Sequence, residues 1–404
     1  MRRPSQNPLT VAVHAGDRKK PGEYTPVATP IHLSSSFFYD AVEDLEDVFN
    51  EVRPGANYSR YGNPTTEAFE EQVATLEGAD FGIATSSGMA ALHLALMAVA
   101  ADRRRSIVAG NCLYGQTMSL LTKAMEPAGV AIRFADPCNL ERFEEVVAEE
   151  NPGAVLLETV TNPLVRVADI ERIGEIAHRH GALLVVDSTF TPAVMFRPLE
   201  HGADVVIHSI TKYIAGHGDV LGGIVLGKED LRPTAQYLLK TIGANLGPFE
   251  AYLAMRGAKT LPLRFERQCA NARIVAEELS RAEGVEHVYF PGLSAHPDHA
   301  VASRLFPEGY FGAMLSLDLD GGRERALAFM NALEMVVPAT SLGDVHTMAL
   351  YPPMSSHRDL SPKHRQRLGI GDGLVRLSVG IEGAEDIVAD VLQAVAKTQP
   401  APVA

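Results

Sequence analysis

The sequence lacks the features that mark secreted, zinc-binding and membrane-spanning proteins. Its three cysteines lie far apart and form no CxxC pair, so they predict neither a disulfide framework nor a zinc–thiolate site. The histidines are scattered, and even His296 and His299 lack ligand partners at plausible spacing, so we expect no metal. No apolar run reaches the roughly 18 residues of a membrane span or forms a signal peptide. We therefore expect a cytoplasmic protein.

Positive charge is also scarce. Lys and Arg number 36 against 50 Asp and Glu, which gives a net charge of −14 at pH 7. The electrostatic field of such a chain repels nucleic acid and anionic membranes, so neither is an expected partner. No internal repeat is present, and 46% hydrophobic with 21% charged residues is an ordinary globular composition. At roughly 150 residues per domain, 404 residues predict two or three domains.

Three regions differ in pattern. Residues 1–62 are rich in Pro, Ser and Tyr and show weak helical periodicity apart from 40–50, which predicts an extended arm lying on another surface, such as another subunit. Residues 63–258 alternate strand-like with helical stretches, as a large ligand-binding domain would. Residues 259–404 begin with a long helical stretch and end on an amphipathic one, 384–397, which predicts a smaller C-terminal domain.

The middle region carries the signature of a parallel sheet. The segments 154–158, 182–187 and 204–209 are continuous apolar runs, as expected of parallel strands covered on both faces. Between the first two lies a helical stretch with Asp169 as its N-cap and Gly181 just past its end. This is a βαβ unit and predicts an α/β fold.

Lys212 stands out in the segment SITKYIAGHGDVLGG, residues 209–223. It follows an apolar strand, and open α/β sheets bind ligands beyond such strand ends. Most lysines are merely solvated, but here Ser209 and Thr211 flank the lysine and an upstream strand ends in Asp187. An amine for a Schiff base, hydroxyls for a phosphate and a carboxylate for a ring nitrogen together suit pyridoxal 5′-phosphate (PLP).

Two upstream segments fit the same cofactor. ATSSGMAALHLALMAVAA opens a helix that is apolar nearly all round, and the amides of Gly88 and Met89 after Ser87 could face a phosphate; a plain core helix is the alternative. Tyr114, in NCLYGQT, could stack on a pyridine ring and transfer protons with its phenol; simple packing is the alternative.

Eight motifs give the whole chain a family resemblance. YSRYGNPT, SSGMAA, LYGQT, ETVTNP, VVDSTF, SITKYIAGHGDVLGG, MRGAKTLPLR and VRLSVGIE occur in the order and at the approximate spacing of one family. From about residue 8 to 395 the sequence resembles the cystathionine γ-synthase / methionine γ-lyase (Cys/Met metabolism) family of PLP enzymes. The resemblance implies fold type I: a large domain with a mostly parallel seven-stranded sheet sandwiched by helices, a smaller C-terminal α/β domain and an N-terminal arm. It also implies a homotetramer, a dimer of dimers with shared active sites.

By matching position, the resemblance implies roles around the cofactor. Lys212 would hold PLP and act as a mobile base, Asp187 would pair with the ring nitrogen, and Tyr114 would stack on the ring. Asn162 and Thr189 would lie near the ring. Four residues would bind the phosphate within the subunit: Gly88, Met89, Ser209 and Thr211. Two would reach the phosphate of the neighbouring subunit: Tyr58 and Arg60.

The amino-acid substrate needs a cation for its carboxylate, and GLVRLSVGI supplies one. Alternation along this strand places Arg376 and Ser378 on the face opposite to its apolar residues. An arginine in a packed strand needs an anion, and Arg376 matches the family's bidentate carboxylate clamp. The resemblance implies that Ser341 and Asn162 assist it.

Departures from the family leave the reaction outcome open. Methionine γ-lyases typically carry a cysteine where this chain has Gln116, and many cystathionine enzymes carry a glutamate where it has Thr340. Tyr351 and His357 lie in an atypical segment, 345–362, where specificity is set. We expect γ-elimination, a carbon–sulfur lyase reaction, on a sulfur-containing or γ-substituted four-carbon amino acid.

Two alternatives remain. One is γ-replacement on an O-acylhomoserine, including with an unusual nucleophile. The other is a catalytically silent PLP-binding protein, which the retention of Lys212, Tyr114 and Arg376 disfavours.

Overall fold

The computed structural model describes residues 7–17, 24–358 and 360–399. The α-helices, in chain order, are α1 (Pro8–His14), α2 (Val42–Phe49), α3 (Pro64–Glu77), α4 (Gly88–Asp102), α5 (Gly115–Leu120), α6 (Leu140–Glu150), α7 (Ile170–Arg179), α8 (Arg232–Ile242), α9 (Pro248–Ala258), α10 (Leu261–Leu279), α11 (His299–Leu305), α12 (Gly322–Ala332), α13 (Pro362–Arg367) and α14 (Ala384–Lys397). The strands are β1 (Phe81–Thr85), β2 (Ser106–Gly110), β3 (Ala131–Ala135), β4 (Ala154–Glu158), β5 (Leu183–Asp187), β6 (Val205–Ser209), β7 (Gly223–Gly227), β8 (Val285–Tyr289), β9 (Met314–Leu319), β10 (Val337–Pro338), β11 (Met348–Leu350) and β12 (Leu374–Ser378).

A seven-stranded sheet forms the first layered unit. Its strand order is β1-β7-β6-β5-β4-β2-β3, and only β7 runs antiparallel to its neighbours. Apolar clusters cover both faces of this sheet, with α4 on one side and α3 and α7 on the other. Burial on both faces explains why strands such as β4 are apolar without alternation. The predicted α/β class with a mostly parallel seven-stranded sheet is confirmed.

The βαβ unit forms as its local signals predict. The Asp169 carboxylate accepts a hydrogen bond from the amide of Arg172 and caps α7. Gly181 follows the helix with a positive φ of 66°, a conformation that glycine adopts without a steric penalty. The chain then returns into β5, parallel to β4, which brings Glu158 and Asp187 to the same sheet edge.

The second unit holds a five-stranded sheet in the order β10-β11-β12-β9-β8. Helices α10, α12 and α14 cover it and enclose a separate apolar cluster. The seven strands of the large sheet fall within residues 81–227 and the five of the small sheet within 285–378. The domain limits 1–62, 63–258 and 259–404 stay predictions.

The arm departs from its prediction at the start. Instead of an extended chain, α1 forms there, because Asn7 caps it and Pro8 occupies the first helical position, where a missing amide costs nothing. Val11 and Ala12 then pack on Leu76 of α3, so this part of the arm lies on its own chain. Seven residues are too few for helical periodicity to show in the sequence.

The rest of the described arm leaves large apolar side chains uncovered. Tyr24, Val27 and Phe38 are 80%, 81% and 87% exposed. These three side chains lie within 15 positions of one another in the chain. None of the described helices is long and apolar enough to cross a membrane.

Candidate active site

A cavity of about 440 Å³ lies at the carboxyl ends of β4, β5 and β6, where residues of both sheets meet. This is the edge where open α/β sheets bind ligands. Ten residues singled out in the sequence line it: Gly88, Met89, Tyr114, Asn162, Asp187, Thr189, Ser209, Thr211, Lys212 and Arg376. The fold therefore brings together side chains that lie up to 288 positions apart in the chain.

Lys212 follows the end of β6 and points into this cavity. Its Nζ donates a hydrogen bond to Ser341 Oγ at 3.0 Å. Burial, and after it the positive charge of Arg376, lowers the pKa of the Lys212 amine to about 8. At pH 7 about a tenth of the amine is therefore unprotonated, far more than of an ordinary lysine, and able to act as a nucleophile or base.

Arg264 fixes the backbone that follows this lysine. Its buried guanidinium donates hydrogen bonds to the carbonyls of Tyr213 and Ile214, at 3.0 and 3.3 Å, and to that of Gly257 at 2.9 Å. Sequence reasoning did not single out Arg264. A signal was nevertheless present, because Arg264 ends the motif MRGAKTLPLR in a helical stretch. Arginine is rarely buried on the core-facing side of a helix unless its guanidinium has partners.

Two carboxylates, Glu158 and Asp187, occupy neighbouring strand ends in register. Asp187 accepts hydrogen bonds from the amide and the hydroxyl of Thr189, at 3.0 and 2.6 Å, and Glu158 accepts one from the amide of Tyr114 at 2.6 Å. Burial raises the pKa of both carboxyls; Asp187 adds to the effect on Glu158, whose pKa rises to about 8. Such a pair stabilises a cation or a protonated ring nitrogen beside it.

An anion cradle lies at the start of α4. The Ser87 side chain caps this helix, and the amides of Gly88 and Met89 come before its first intrahelical hydrogen bond. The hydroxyl residues Ser209 and Thr211 complete the cradle. A Cβ on Gly88 would lie 2.9 Å from Ser209 Cβ, so only glycine allows this close approach. Helix amides and hydroxyls in this arrangement bind phosphate.

Arg376 lies on β12, between β9 and β11, with 2% of its surface exposed. Its guanidinium donates to Asn162 Oδ1 and to the Ser341 carbonyl, both at 3.0 Å. Burial lowers its pKa to about 10, and within the described parts of the chain no carboxylate forms an ion pair with it. A buried guanidinium without a counter-ion is ready to bind a carboxylate from a ligand.

Tyr114 stands at the entrance to α5 and lines the cavity. Burial raises the pKa of its phenol, so the hydroxyl stays protonated at neutral pH. The turn formed by residues 355–358 rests on the next residue: a Cβ on Gly115 would lie 2.4 Å from the Ser356 carbonyl oxygen. Glycine is therefore required for this turn to close against Tyr114.

The four residues whose roles the sequence left open lie in different parts of the site. Gln116 and Thr340 line the cavity. Tyr351 is buried and donates its hydroxyl to the Asp372 carbonyl at 2.8 Å. His357 is also buried, with Nδ1 2.9 Å from Ser356 Oγ, and burial followed by the charge of Arg376 lowers its pKa to about 4. His357 is thus a neutral residue of the turn.

Tyr58 and Arg60 do not line the cavity of their own chain. The Arg60 guanidinium lies 5.5 Å from the centre of the Tyr58 ring and 4.9 Å from that of Tyr61, and it donates to the Lys240 carbonyl. Their expected role at the phosphate of a neighbouring subunit stays a prediction.

Sequence reasoning missed part of the cavity wall. Apolar residues line it beside the polar ones, and so do residues of the 355–358 turn. The missed lining residues are Val160, Phe190, Leu221, Leu342, Leu350 and Ser355, whereas Ser356 and Arg358 belong to the segment 345–362 that the sequence assigns to specificity. Phe190 and Val160 could have been found from their positions just after strand ends, whereas the others depend on how the two sheets pack.

The site fits PLP. Glu158 is buried and Asp187 part-buried, and neither forms an ion pair within the described residues, so the two carboxylates suit a protonated pyridine nitrogen. The α4 cradle suits a phosphate, and Lys212 supplies the amine that PLP requires. This fold and this site define a PLP-dependent enzyme of fold type I.

Comparisons with known proteins identify its family. Residues 9–396 match the model of the Cys/Met metabolism PLP-dependent enzyme family, and the chain belongs to it. It is 40% identical over 393 residues to an L-methionine gamma-lyase of Fusobacterium nucleatum subsp. polymorphum, covering 96% of this chain and 98% of the relative. It is 39% identical to an O-succinylhomoserine sulfhydrylase of Pseudomonas aeruginosa, covering 96% and 94%.

A solved structure agrees. The cystathionine gamma synthase of Xanthomonas oryzae pv. oryzae, in complex with aminoacrylate and cysteine, superposes with a TM-score of 0.90 at 37% identity, covering 98% of this chain and all of the other. The predicted family, fold type and cofactor are confirmed.

The buried carboxylates make the cofactor-free protein sensitive to pH. Its folded state keeps a proton on Glu158 up to about pH 8, whereas the unfolded chain releases that proton near the ordinary pKa of 4.5. The stability of the cofactor-free protein should therefore fall as pH rises from 4.5 towards 8. We expect Glu158→Gln to flatten the fall in thermal midpoint between pH 6 and 8. Exposed Glu149→Gln is the control, and equal slopes in both variants would contradict the assignment.

Proposed function

We propose that the chain removes the γ-substituent of a four-carbon amino acid, giving a 2-oxo acid and ammonia. The observation that carries this proposal is that Ser341 contacts both Lys212, the base, and Arg376, the anchor of the carboxylate. The Ser341 hydroxyl accepts a hydrogen bond from Lys212 Nζ and its carbonyl accepts one from the Arg376 guanidinium, both at 3.0 Å. A carboxylate bound at Arg376 thereby places the adjacent α-carbon near the amine. As members of this family, the chain and its relatives are lyases or transferases that act at the γ-carbon.

Different residues of the chain carry out different parts of the proposed reaction. Bound PLP withdraws electrons from the amino acid and so acidifies its α- and β-hydrogens. Arg376 holds the α-carboxylate, and Lys212, with its lowered pKa, accepts the proton from the α-carbon and then one from the β-carbon. Asp187 stabilises a protonated ring nitrogen. Tyr114, protonated at neutral pH, donates a proton to the departing group.

The overall equation balances with water. The γ-substituted amino acid and one water give 2-oxobutyrate, ammonia and the protonated leaving group. We expect the purified holoenzyme to release 2-oxobutyrate and ammonia in equal amounts from at least one member of a panel of L-methionine, L-homocysteine, L-cystathionine and O-acyl-L-homoserines. A holoenzyme that binds these compounds but releases neither product, and with an added thiol forms no thioether amino acid either, would be a silent PLP-binding protein and contradict the proposal.

A second candidate is γ-replacement, in which a thiol takes the place of the leaving group. Gln116 favours it, because this residue lines the cavity where methionine γ-lyases of the family typically carry a cysteine. The 39% identical sulfhydrylase supports it as well. Adding a thiol to an O-acyl-L-homoserine assay separates the two: replacement gives a thioether amino acid and suppresses ammonia release, whereas pure elimination leaves ammonia release unchanged.

We also propose that the chain works as a homotetramer, a dimer of dimers with shared sites. The exposed Tyr24, Val27 and Phe38 of the arm support a partner surface there. Tyr58 and Arg60 lie close to the arm's end and outside their own cavity, which supports a role at a neighbouring one. The predicted cytoplasmic location stays a prediction.

Mixing two inactive variants tests the shared site. If Arg60 serves the neighbour, Arg60→Ala and Lys212→Ala chains should form hybrid dimers with one intact site each, which restores about a quarter of the parent activity after random exchange. Asp187→Ala mixed with Lys212→Ala is the matched control and should stay inactive, because both residues line the same chain's cavity. An inactive Arg60→Ala mixture, with subunit exchange proven by mass spectrometry, would place Arg60 elsewhere.

A further inference from the structure

Ser378 lies on β12, two positions after Arg376, and does not line the cavity. Its side chain is buried, and its hydroxyl oxygen accepts a hydrogen bond from the amide of Gly343 at 2.8 Å. The backbone of Ser378 pairs in register with Met348 on β11 and with Met314 on β9. A buried hydroxyl on a strand that is paired along both edges has a fixed position.

The turn formed by residues 341–343 is held by β12 at two points. The Arg376 guanidinium donates to the Ser341 carbonyl at 3.0 Å, and Ser378 accepts from the amide of Gly343. A substrate carboxylate bound at Arg376 competes with the Ser341 carbonyl for the same guanidinium. The hydrogen bond to Ser378 involves no group that binds substrate, so it holds the turn equally well when the site is filled.

The same turn packs directly on the backbone of the base. Gly343 has a positive φ of 75°, and a Cβ on it would lie 2.7 Å from the amide nitrogen of Tyr213 and 3.0 Å from the carbonyl carbon of Lys212. Glycine is therefore required for this close approach. At the other end of the turn, the Ser341 hydroxyl accepts from Lys212 Nζ. The turn thus contacts Lys212 at its backbone and at its amine.

We propose that Ser378 is a positioning residue for the base: it holds the 341–343 turn and, through Ser341, sets where the free amine of Lys212 lies. The inference rests on the proposed role of Lys212 in taking the α-proton and holds for elimination and replacement alike. Without the Ser378 hydroxyl, the buried amide of Gly343 loses its acceptor, which favours a displaced turn. A displacement of about 1 Å at a reacting group lowers a rate by up to about a hundredfold.

An amino acid without a leaving group tests the base alone. We expect the holoenzyme to exchange the α-hydrogen of L-norleucine for deuterium, measured by NMR, and Ser378→Ala to lower the kcat of exchange about ten- to a hundredfold. Ser378→Cys keeps the shape of the side chain with a weak acceptor, so it should lose less, and it decides the test if Ser378→Ala does not fold. Because Arg376 remains, KM should change by less than about twofold. The absorbance of lysine-linked PLP should persist.

Thr347→Val is the matched control. Thr347 is as buried as Ser378, and its hydroxyl accepts from the amide of Gly380 at 2.9 Å, which is the same kind of hydrogen bond in the same sheet. Thr347 lies outside the 341–343 turn and does not line the cavity. Its replacement should lower the thermal midpoint, as Ser378→Ala does, and leave the kcat of exchange at the parent value.

A double variant separates positioning from a general loss of structure. If Ser378 acts through Ser341, then adding Ser378→Ala to Ser341→Ala should lower the kcat of exchange by less than about twofold further. Fully multiplying effects, parent-like exchange in both Ser378 variants, or an equal loss in Thr347→Val would overturn the inference, as would a parent protein that exchanges no α-hydrogen. Exchange of L-norleucine without turnover of any γ-substituted compound would instead contradict the proposed function alone.

Discussion

Replacing Lys212 by alanine is expected to abolish the visible absorbance of lysine-linked PLP and to lower kcat by roughly 10³-fold or more, the range of a lost general base. No other lysine lines the cavity in the described chain, so no second amine can form the covalent link. The absorbance and the steady-state rate of the same preparation measure the two effects together.

A matched variant shows that the effect belongs to this lysine. Lys228, exposed just after β7, can be replaced by alanine without touching the cavity, so both the absorbance and the rate should match the parent protein. An unchanged absorbance in the Lys212→Ala protein would show that another residue carries the cofactor.

Replacing Arg376 by alanine should leave the cofactor absorbance intact and weaken the use of every amino-acid substrate. The loss of a buried carboxylate pair costs about 2–5 kcal/mol, much of it from leaving the partner charge unpaired. At roughly 1.4 kcal/mol per factor of ten, kcat/KM should fall about thirty- to several-thousand-fold. Arg376→Lys should recover little, because an ammonium cannot reproduce the planar pair of donors that reaches Asn162 and Ser341.

Whether Arg376 binds the α-carboxylate is tested by comparing kcat/KM for different substrates. Because Arg376 is assigned to the α-carboxylate, which all these substrates share, its loss should lower kcat/KM for succinyl and acetyl esters alike. Turnover by Arg376→Ala at the parent rate would require another anchor for the α-carboxylate.

The large sheet and much of the site were predictable because they rest on local signals. Continuous apolar runs define β4, β5 and β6, and strand ends place Asp187 and Lys212 at one edge without knowledge of the tertiary structure. Arg376 was found from the alternation of a single strand, although the structure shows both faces of that strand buried.

The features that the sequence could not predict depend mainly on contacts between segments that are distant in the chain. The role of Arg264 in holding the residues after Lys212, and the approach of the 355–358 turn to Gly115, arise only when the two units pack. The short helix α1 was missed because a cap and a proline fix it, not a repeat of apolar residues. The pKa shifts of Lys212 and Glu158 follow from burial in the folded chain, which composition does not reveal.

The cavity draws its walls from two separate stretches of sequence. Within one chain, the ring and the phosphate are expected to contact residues between Ser87 and Lys212, whereas the guanidinium expected to hold the substrate's α-carboxylate, Arg376, lies beyond position 339. Mutations in the second stretch can therefore alter which amino acid is accepted while the cofactor stays bound and reactive. Such a division lets new substrate preferences arise by gene duplication and drift in one part of the chain, with the older chemistry preserved in the other.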